Sequence, residues 1–389
     1  MEPRRAPRSS CMVVYAHYPE DPRVRREAEA LARHGIRVTV VCLQQPGEPA
    51  TDEVAGVRVK RLPLRRRRGG LLSYAYQFLG FFVLASLAVR RLQARDGAEI
   101  VHVHSLPDIL AFAALPARLR GARLILDLHE VMPELVAARV TSPWRPLLVP
   151  LVRGLETLSC LIAHRTITVG DSIATLLCRR GVPRERITVV TNVPTGTPPL
   201  GVAAVPQRLV FAGTVHPDRD LETFLRALAL LPTLELRVFG PEDPTYSPIL
   251  RRSVEELDLS ARVSFHGPIP PEAVAREIAA SAVGVVTYVE NPHTRIGLSS
   301  KAFEFAAVRR PLVITDLPGL RALFDGAAQF YPAGDAKALA DRIQKASEGG
   351  GGIEAQVERA ATILERHAWP VMEQRLVQLY AGLVREDAP

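Results

Sequence analysis

The chain has 389 residues, more than one hydrophobic core usually serves, so two domains are expected. With 47% hydrophobic and 23% charged residues it is too apolar for wholesale disorder, and Cys11, Cys42, Cys160 and Cys178 form no CxxC pair, which argues against a disulfide framework or Cys-based zinc site and for a reducing compartment. The net charge of +8 rests almost wholly on arginine and comes with no RRM, KH or helix-turn-helix pattern; nucleic acid is not expected as a partner, whereas an anionic membrane surface or a phosphate-bearing substrate suits it.

No apolar stretch follows the arginines of residues 1–10, so no secretory signal is expected, and the chain is assigned to the cytoplasm. Short β-branched runs then alternate with helical stretches. Strands are expected at 12–16, 38–42, 57–62, 100–104, 124–128, 166–169 and 187–190, with amphipathic segments such as 24–34 and 172–180 between them. Such alternation implies βαβ units and a parallel sheet with helices on both faces.

One segment stands out. The arginines of 65–68 precede a charge-free stretch, 71–89, which Arg90 and Arg91 close. Its length reaches the lower range for a membrane span, yet it lies between two strands of one expected sheet. A helix buried against that sheet is the first expectation. A helix partly embedded at the inner face of the cell membrane, with arginines at the headgroups, is the second.

The rhythm breaks at 193–207, a Pro-, Gly-, Thr- and Ala-rich linker. A second series follows, with strands at 209–212, 235–239, 262–265, 284–287, 312–315 and 329–331 and helices at 221–231, 271–281 and 300–308. The expected layout is an α/β fold of two Rossmann-like, doubly wound domains facing across a cleft: 1–192, the linker, 208–366, and a C-terminal helix at 367–389 packing across the hinge.

In chain order, the first motif is His17-Tyr18-Pro19-Glu20-Asp21-Pro22-Arg23, after the first strand. Asp21 and Pro22 suit a helix N-cap and N1, so plain capping explains them as well as function does. His102 and His104 alternate on one strand at metal-ligand spacing, but no third ligand is specified, and no metal is expected. Asp127-Leu128-His129-Glu130 ends another strand, where Glu130 or Asp127 could orient the His129 ring. In Phe211-Ala212-Gly213-Thr214-Val215-His216-Pro217-Asp218-Arg219, an arginine follows a strand and a glycine. Gly240 and His266-Gly267 sit at two further strand ends, where glycine allows close approach or simply a turn.

The strongest constellation is Gly297-Leu298-Ser299-Ser300-Lys301-Ala302-Phe303-Glu304-Phe305. With Ser299 as cap, the first amides from Leu298 to Ser300 and the helix dipole suit a diphosphate. Lys301 and Glu304, three apart, share a face: an ammonium for phosphate oxygens, a carboxylate for ribose hydroxyls. The alternative is an ordinary surface ion pair.

From Lys301 to Val313 the chain resembles retaining glycosyltransferase family 4, of the two-domain GT-B architecture, through its K-x-x-E-Y-x-A-x-G-x-P-V-V segment. The resemblance covers nearly the whole chain. It implies that Glu304 holds the donor ribose, that Arg219 takes the place of the phosphate-binding cation, and that Gly240, His266 and Gly267 lie where backbone nears the nucleotide. It places His129 at the catalytic or sugar-binding histidine and His17, Asp21 and Arg23 on a loop facing acceptor and donor sugar, with His104 and Glu130 on the acceptor side. Two departures stand out: Ile296 replaces a glutamate eight positions before Glu304, and the glycine ahead of the proline is replaced, at Arg310. The implied reaction is transfer of a sugar from a nucleotide sugar to a glycan or lipid-linked acceptor, with retention and without cofactor or metal. Competing readings are a non-catalytic nucleotide-sugar-binding subunit, which the loss at Ile296 keeps open, and a sugar-nucleotide epimerase or hydrolase.

Overall fold

A computed structural model describes residues 7–64, 71–193, 199 and 201–385. The arginine run 65–68 and part of the expected linker, 194–198 and 200, lie outside the described residues. The chain divides into two compact units, Met1–Asn192 with Pro370–Pro389, and Val193–Trp369.

In the first unit the strands are β1 (Ser9–His17), β2 (Arg37–Leu43), β3 (Thr51–Val54), β4 (Val57–Leu62), β5 (Ile100–His104), β6 (Arg123–Leu128), β7 (Arg165–Thr168) and β8 (Ile187–Val189). The helices are α1 (Pro22–Arg33), α2 (Leu71–Asp96), α3 (Leu115–Arg118), α4 (Met132–Arg139), α5 (Arg145–Ile162) and α6 (Asp171–Arg179), with a 3₁₀ segment, Asp108–Ala114, before α3. The sheet order is β3-β4-β2-β1-β5-β6-β7-β8, and every pairing except β3 with β4 is parallel. Both faces are covered, so the central strands are apolar runs without alternation: Cys11 to Val14 are all buried. The edge hairpin of β3 and β4, absent from the sequence reading, turns at Ala55 and Gly56, with φ of 50° and 78°. An Ala-Gly turn lacks the Asn-Gly or Asp-Gly pair that signals a two-residue hairpin.

Parallel connections are right-handed, so the direction of each step across the sheet fixes the side its helix takes. The step from β1 to β2 runs one way; those from β4 to β5 and from β6 to β7 run the other. Hence α2 and α5 share one side of the sheet, opposite α1, and both pack against the 3₁₀ segment. Helix α2 buries Phe78, Phe81, Ala85, Ala88 and Val89, with the Phe78 and Phe81 rings edge-on to Tyr15 at 5.7 and 5.0 Å. Its other face, Tyr76, Leu79, Val83 and Leu87, is exposed. Among the described residues no helix is long and apolar enough to cross a membrane.

The second unit contains β9 (Arg208–Ala212), α7 (Leu221–Ala229), β10 (Glu235–Phe239), α8 (Ser247–Glu256), β11 (Val263–Phe265), α9 (Pro271–Ala280), β12 (Gly284–Val286), α10 (Ser300–Ala307), β13 (Leu312–Thr315), α11 (Pro318–Phe324), β14 (Gln329–Tyr331), α12 (Ala336–Glu348) and α13 (Ile353–His367). Two parallel three-stranded sheets, β11-β10-β9 and β12-β13-β14, meet at one bridge between Leu209 and Val283. Ser281 spans this seam, its hydroxyl accepting from Val210 N at 3.1 Å and donating to Val283 O at 2.8 Å. The resulting sequence of strands, 3-2-1-4-5-6, is the Rossmann order, whose reversal between β9 and β12 opens a ligand crevice at the carboxyl ends. The last helix, α14 (Trp369–Arg385), belongs to the first unit from Pro370 onward and buries Met372, Leu376, Tyr380 and Leu383 there.

Candidate active site

At the reversal point of the second unit, a recess is lined by Phe211 to Gly213 at the end of β9, Thr287 and Tyr288 after β12, Leu298 to Lys301 at the start of α10, and Arg219. Gly284 lets α10 sit this close to β12, because an added Cβ would lie 2.4 Å from Phe305 Cγ. Arg219 is placed by its own backbone and head group together. Its carbonyl accepts from the Thr287 hydroxyl, its Nη1 meets the Tyr288 hydroxyl, and its guanidinium carbon lies 4.8 Å from the Tyr288 ring centre. Tyr288 N in turn donates to Thr315 Oγ1 at 2.9 Å. Tyr288 was not singled out from sequence; its place just beyond a strand end was the available signal.

Lys301 and Glu304 meet as their spacing predicts, with Nζ 2.8 Å from both carboxylate oxygens, and both are part-buried. Ser299 stands at the N-cap position, but its hydroxyl makes no cap bond and is buried without a hydrogen-bond partner. The first amides of α10 therefore have neither an intrahelical partner nor a side-chain cap, and Leu298 to Lys301, which carry that helix start, line the recess with Ser300 exposed.

Two readings of this unit change. Gly240 is needed for packing: with φ of 133°, its Cβ would fall 2.0 Å from Gly213 O. Gly240, His266 and Gly267 do not line the recess; Gly240 N donates to Gly267 O at 2.8 Å and the His266 ring stacks on Phe239 at 4.7 Å. The arginine that stands where glycine is wanted is Arg309, with φ of 56°, whereas Arg310 reaches back to Ala279 O at 2.6 Å and Val202 O at 2.8 Å. Asp218 and Asp220, two apart like a D-x-D pair, are used internally: Asp218 accepts from Asn291 Nδ2 at 3.1 Å and Asp220 caps α7 through Thr223 N at 3.4 Å.

In the first unit, Asp127 at the end of β6 organises a buried polar cluster. Arg23 clamps it through Nε at 3.0 Å and Nη2 at 2.6 Å. Its Oδ2 also lies 3.2 Å from His104 Nδ1 and 3.3 Å from His129 Nε2. Of these residues His129 alone is accessible, at 18%; Arg23 is 4% exposed and His104 fully buried. Behind them Glu27 lies 3.2 Å from Arg23 Nε, and Tyr380 of α14 places its hydroxyl 2.8 Å from His102 Nδ1.

Burial raises Asp127, but the charges of Arg23 and His129 outweigh it and hold the carboxyl well below its usual value. Burial, reinforced by Asp127, pushes Glu27 up to about 8, outweighing the opposing charges of Arg23 and Arg26. Burial also lowers His102 and His104.

Asp127 orients His129, with Oδ2 3.3 Å from Nε2. Arg23 and His104, expected to face acceptor or donor sugar, point into the interior and support that orientation. Asp21 is the N-cap of α1, accepting from Arg23 N at 3.0 Å and Val24 N at 3.1 Å; His17 lies at the end of β1, its Nδ1 3.4 Å from Leu43 O. Glu27, His102, His104 and Asp127 offer four ligand atoms within 4.8 Å of one another. Arg23 already sits on two of these residues, so a divalent ion there would face a guanidinium.

A two-unit α/β protein of GT-B type, with a cationic recess at the strand reversal of its second unit, is the class that this fold and site define. The chain belongs to the glycosyltransferase families described by two models: residues 21–193 match "Glycosyl transferase 4-like domain" and residues 206–348 match "Glycosyl transferases group 1". A stretch of 127 residues is 28% identical to the putative teichuronic acid biosynthesis glycosyltransferase TuaH of Bacillus subtilis, spanning 33% of this chain and 31% of that one. Sucrose-phosphate synthase of Thermosynechococcus elongatus superposes with a TM-score of 0.78 at 19% identity, covering 98% of this chain and 100% of its own. Anabaena Alr3699/HepE in complex with UDP-glucose gives 0.70 at 16%, covering 96% and 99%. At such identities these structures speak for the fold.

Proposed function

We propose that this chain transfers a sugar from a nucleotide diphosphate sugar to a glycan or lipid-linked acceptor, with retention and without metal or cofactor, and in peripheral contact with an anionic membrane at the cytoplasmic face. The observation that carries the donor reading is the recess in which Arg219, Lys301 and the open amides of α10 converge. Two cations and a helix N-terminus suit a diphosphate in the ground state and stabilise it further as it leaves. On donor binding Lys301 turns to phosphate oxygens, and Glu304, released from it, accepts from ribose hydroxyls. His129, with Nε2 committed to Asp127, presents its other ring nitrogen to the substrate.

The HepE structure of like fold contains UDP-glucose, which makes UDP-sugars the first donors to try. The test is a thermal-shift titration with UDP-, GDP-, ADP- and TDP-sugars, repeated on Glu304→Ala and with EDTA, followed by product analysis with and without acceptor. The expected result is stabilisation by one nucleotide class, lost in the variant and insensitive to EDTA, with turnover that needs acceptor. Donor binding without turnover under any acceptor condition points to a non-catalytic subunit; turnover without acceptor points to an epimerase or hydrolase.

A further inference from the structure

Helix α5 turns a row of large apolar side chains to water. Its buried residues are Glu156, Ser159 and Cys160. On the outside lie Trp144, just before the helix, and Leu147, Leu151, Leu158 and Leu161; the first three are 66, 67 and 59% exposed. Glu156 is turned inward, where it meets Arg180 Nη1. The spacing of three, four, seven and three residues keeps the apolar positions on one helical face. Large contiguous apolar surface of this kind marks an interaction site.

We propose that α5, together with the exposed stripe of α2, forms a two-helix face that docks on an anionic lipid surface. The two helices lie on the same side of the sheet and flank the same 3₁₀ segment. Charge selects the occupant. Along α2 from 76 onward and between 144 and 162 the carboxylates are Glu156, which is buried, and Asp96 at the C-terminal end of α2, whereas Arg90, Arg91, Arg95, Arg145 and Arg153 are exposed. Apolar side chains entering the headgroup boundary with arginines beside them fit anionic lipid. A second copy of the same face would bring arginine against arginine. Neither helix is long and apolar enough to cross a bilayer, so the face lies on the membrane. This deepens the membrane contact proposed above, but does not depend on sugar transfer: lipid binding and donor binding are read separately.

The test is co-sedimentation of the full chain with phosphatidylcholine vesicles and with vesicles containing phosphatidylglycerol, at low and high salt. The expected result is partition onto the anionic vesicles, weakened by salt. The double variant Leu147→Glu/Leu151→Glu should lose at least tenfold, and Arg145→Glu/Arg153→Glu should lose about fivefold or more per arginine. Both variants should keep the melting temperature and any nucleotide-sugar thermal shift of the parent chain; a variant that fails to fold is replaced by Leu147→Ser/Leu151→Ser. Absence of binding to anionic vesicles, or binding unchanged in the folded α5 variants, overturns the proposal. So does a concentration-dependent dimer that the α5 variants dissociate while lipid binding is absent, which assigns the face to a second copy.

Discussion

Replacing Gly240 by alanine isolates its close approach to Gly213, a residue that lines the recess of the second unit. Gly240 follows β10 beside Gly213, and its Cβ would lie 2.0 Å from Gly213 O and 2.7 Å from Gly213 C. Neither atom can turn away, because both are backbone, and Gly213 N is tied to Phe239 O at 2.9 Å. Strain of an L-residue at positive φ costs about 1–2 kcal/mol, and forced overlap adds about 1–3 kcal/mol. The sum is roughly 4 kcal/mol. For a unit the size of Val193–Trp369 this lowers its melting point by roughly 8–16 °C. Gly334→Ala is the control: it lies in the same unit at φ of 77° with nothing within 4 Å of the added Cβ, so about 1–2 kcal/mol and roughly 2–8 °C are expected. Scanning calorimetry reads both. Equal shifts in the two variants would refute the argument, since they would leave only the positive φ and no role for the close approach.

Arg219→Ala should weaken binding of the nucleotide diphosphate by about 10- to 100-fold, the range for a lost hydrogen bond to a charged group, measured by calorimetric titration. Tyr288→Phe, which keeps the ring beneath the guanidinium but removes the hydroxyl that meets Nη1, should weaken it only several-fold. Glu27 predicts a pH dependence of stability. Its folded value of about 8 lies above the ordinary 4.5, so its protonated form favours the folded state. This stability is fully present below the ordinary value and is lost as pH rises from about 4.5 through 8. Glu27→Gln should therefore be near neutral at pH 4.5 and stabilising, by up to a few kcal/mol, near pH 8.5. Urea titrations at the two pH values check this, and a variant equally destabilised at both would remove the protonated carboxyl from the account.

The amino-acid sequence by itself determined the alternation of strands and helices and the helix start at Asp21, because apolar period and capping are local properties. It also brought Lys301 and Glu304 together, since three residues in a helix place two side chains on one face. It did not determine where Arg23 points. The partner, Asp127, is 104 positions away on another strand, and the parallel order that brings the two together is a property of the whole sheet. The same holds for Tyr380, which reaches His102 from the last helix, and for Tyr288, which joins Arg219 only once β12 lies beside β9. Glycine at 240 is legible as a residue type, but its reason, the Gly213 backbone 2.0 Å from the missing Cβ, exists only in three dimensions. The exposure of the α5 leucines was equally hidden. A sequence shows which residues share a helical face, but only packing decides which face turns inward, and here it buried Glu156 and left the leucines outside.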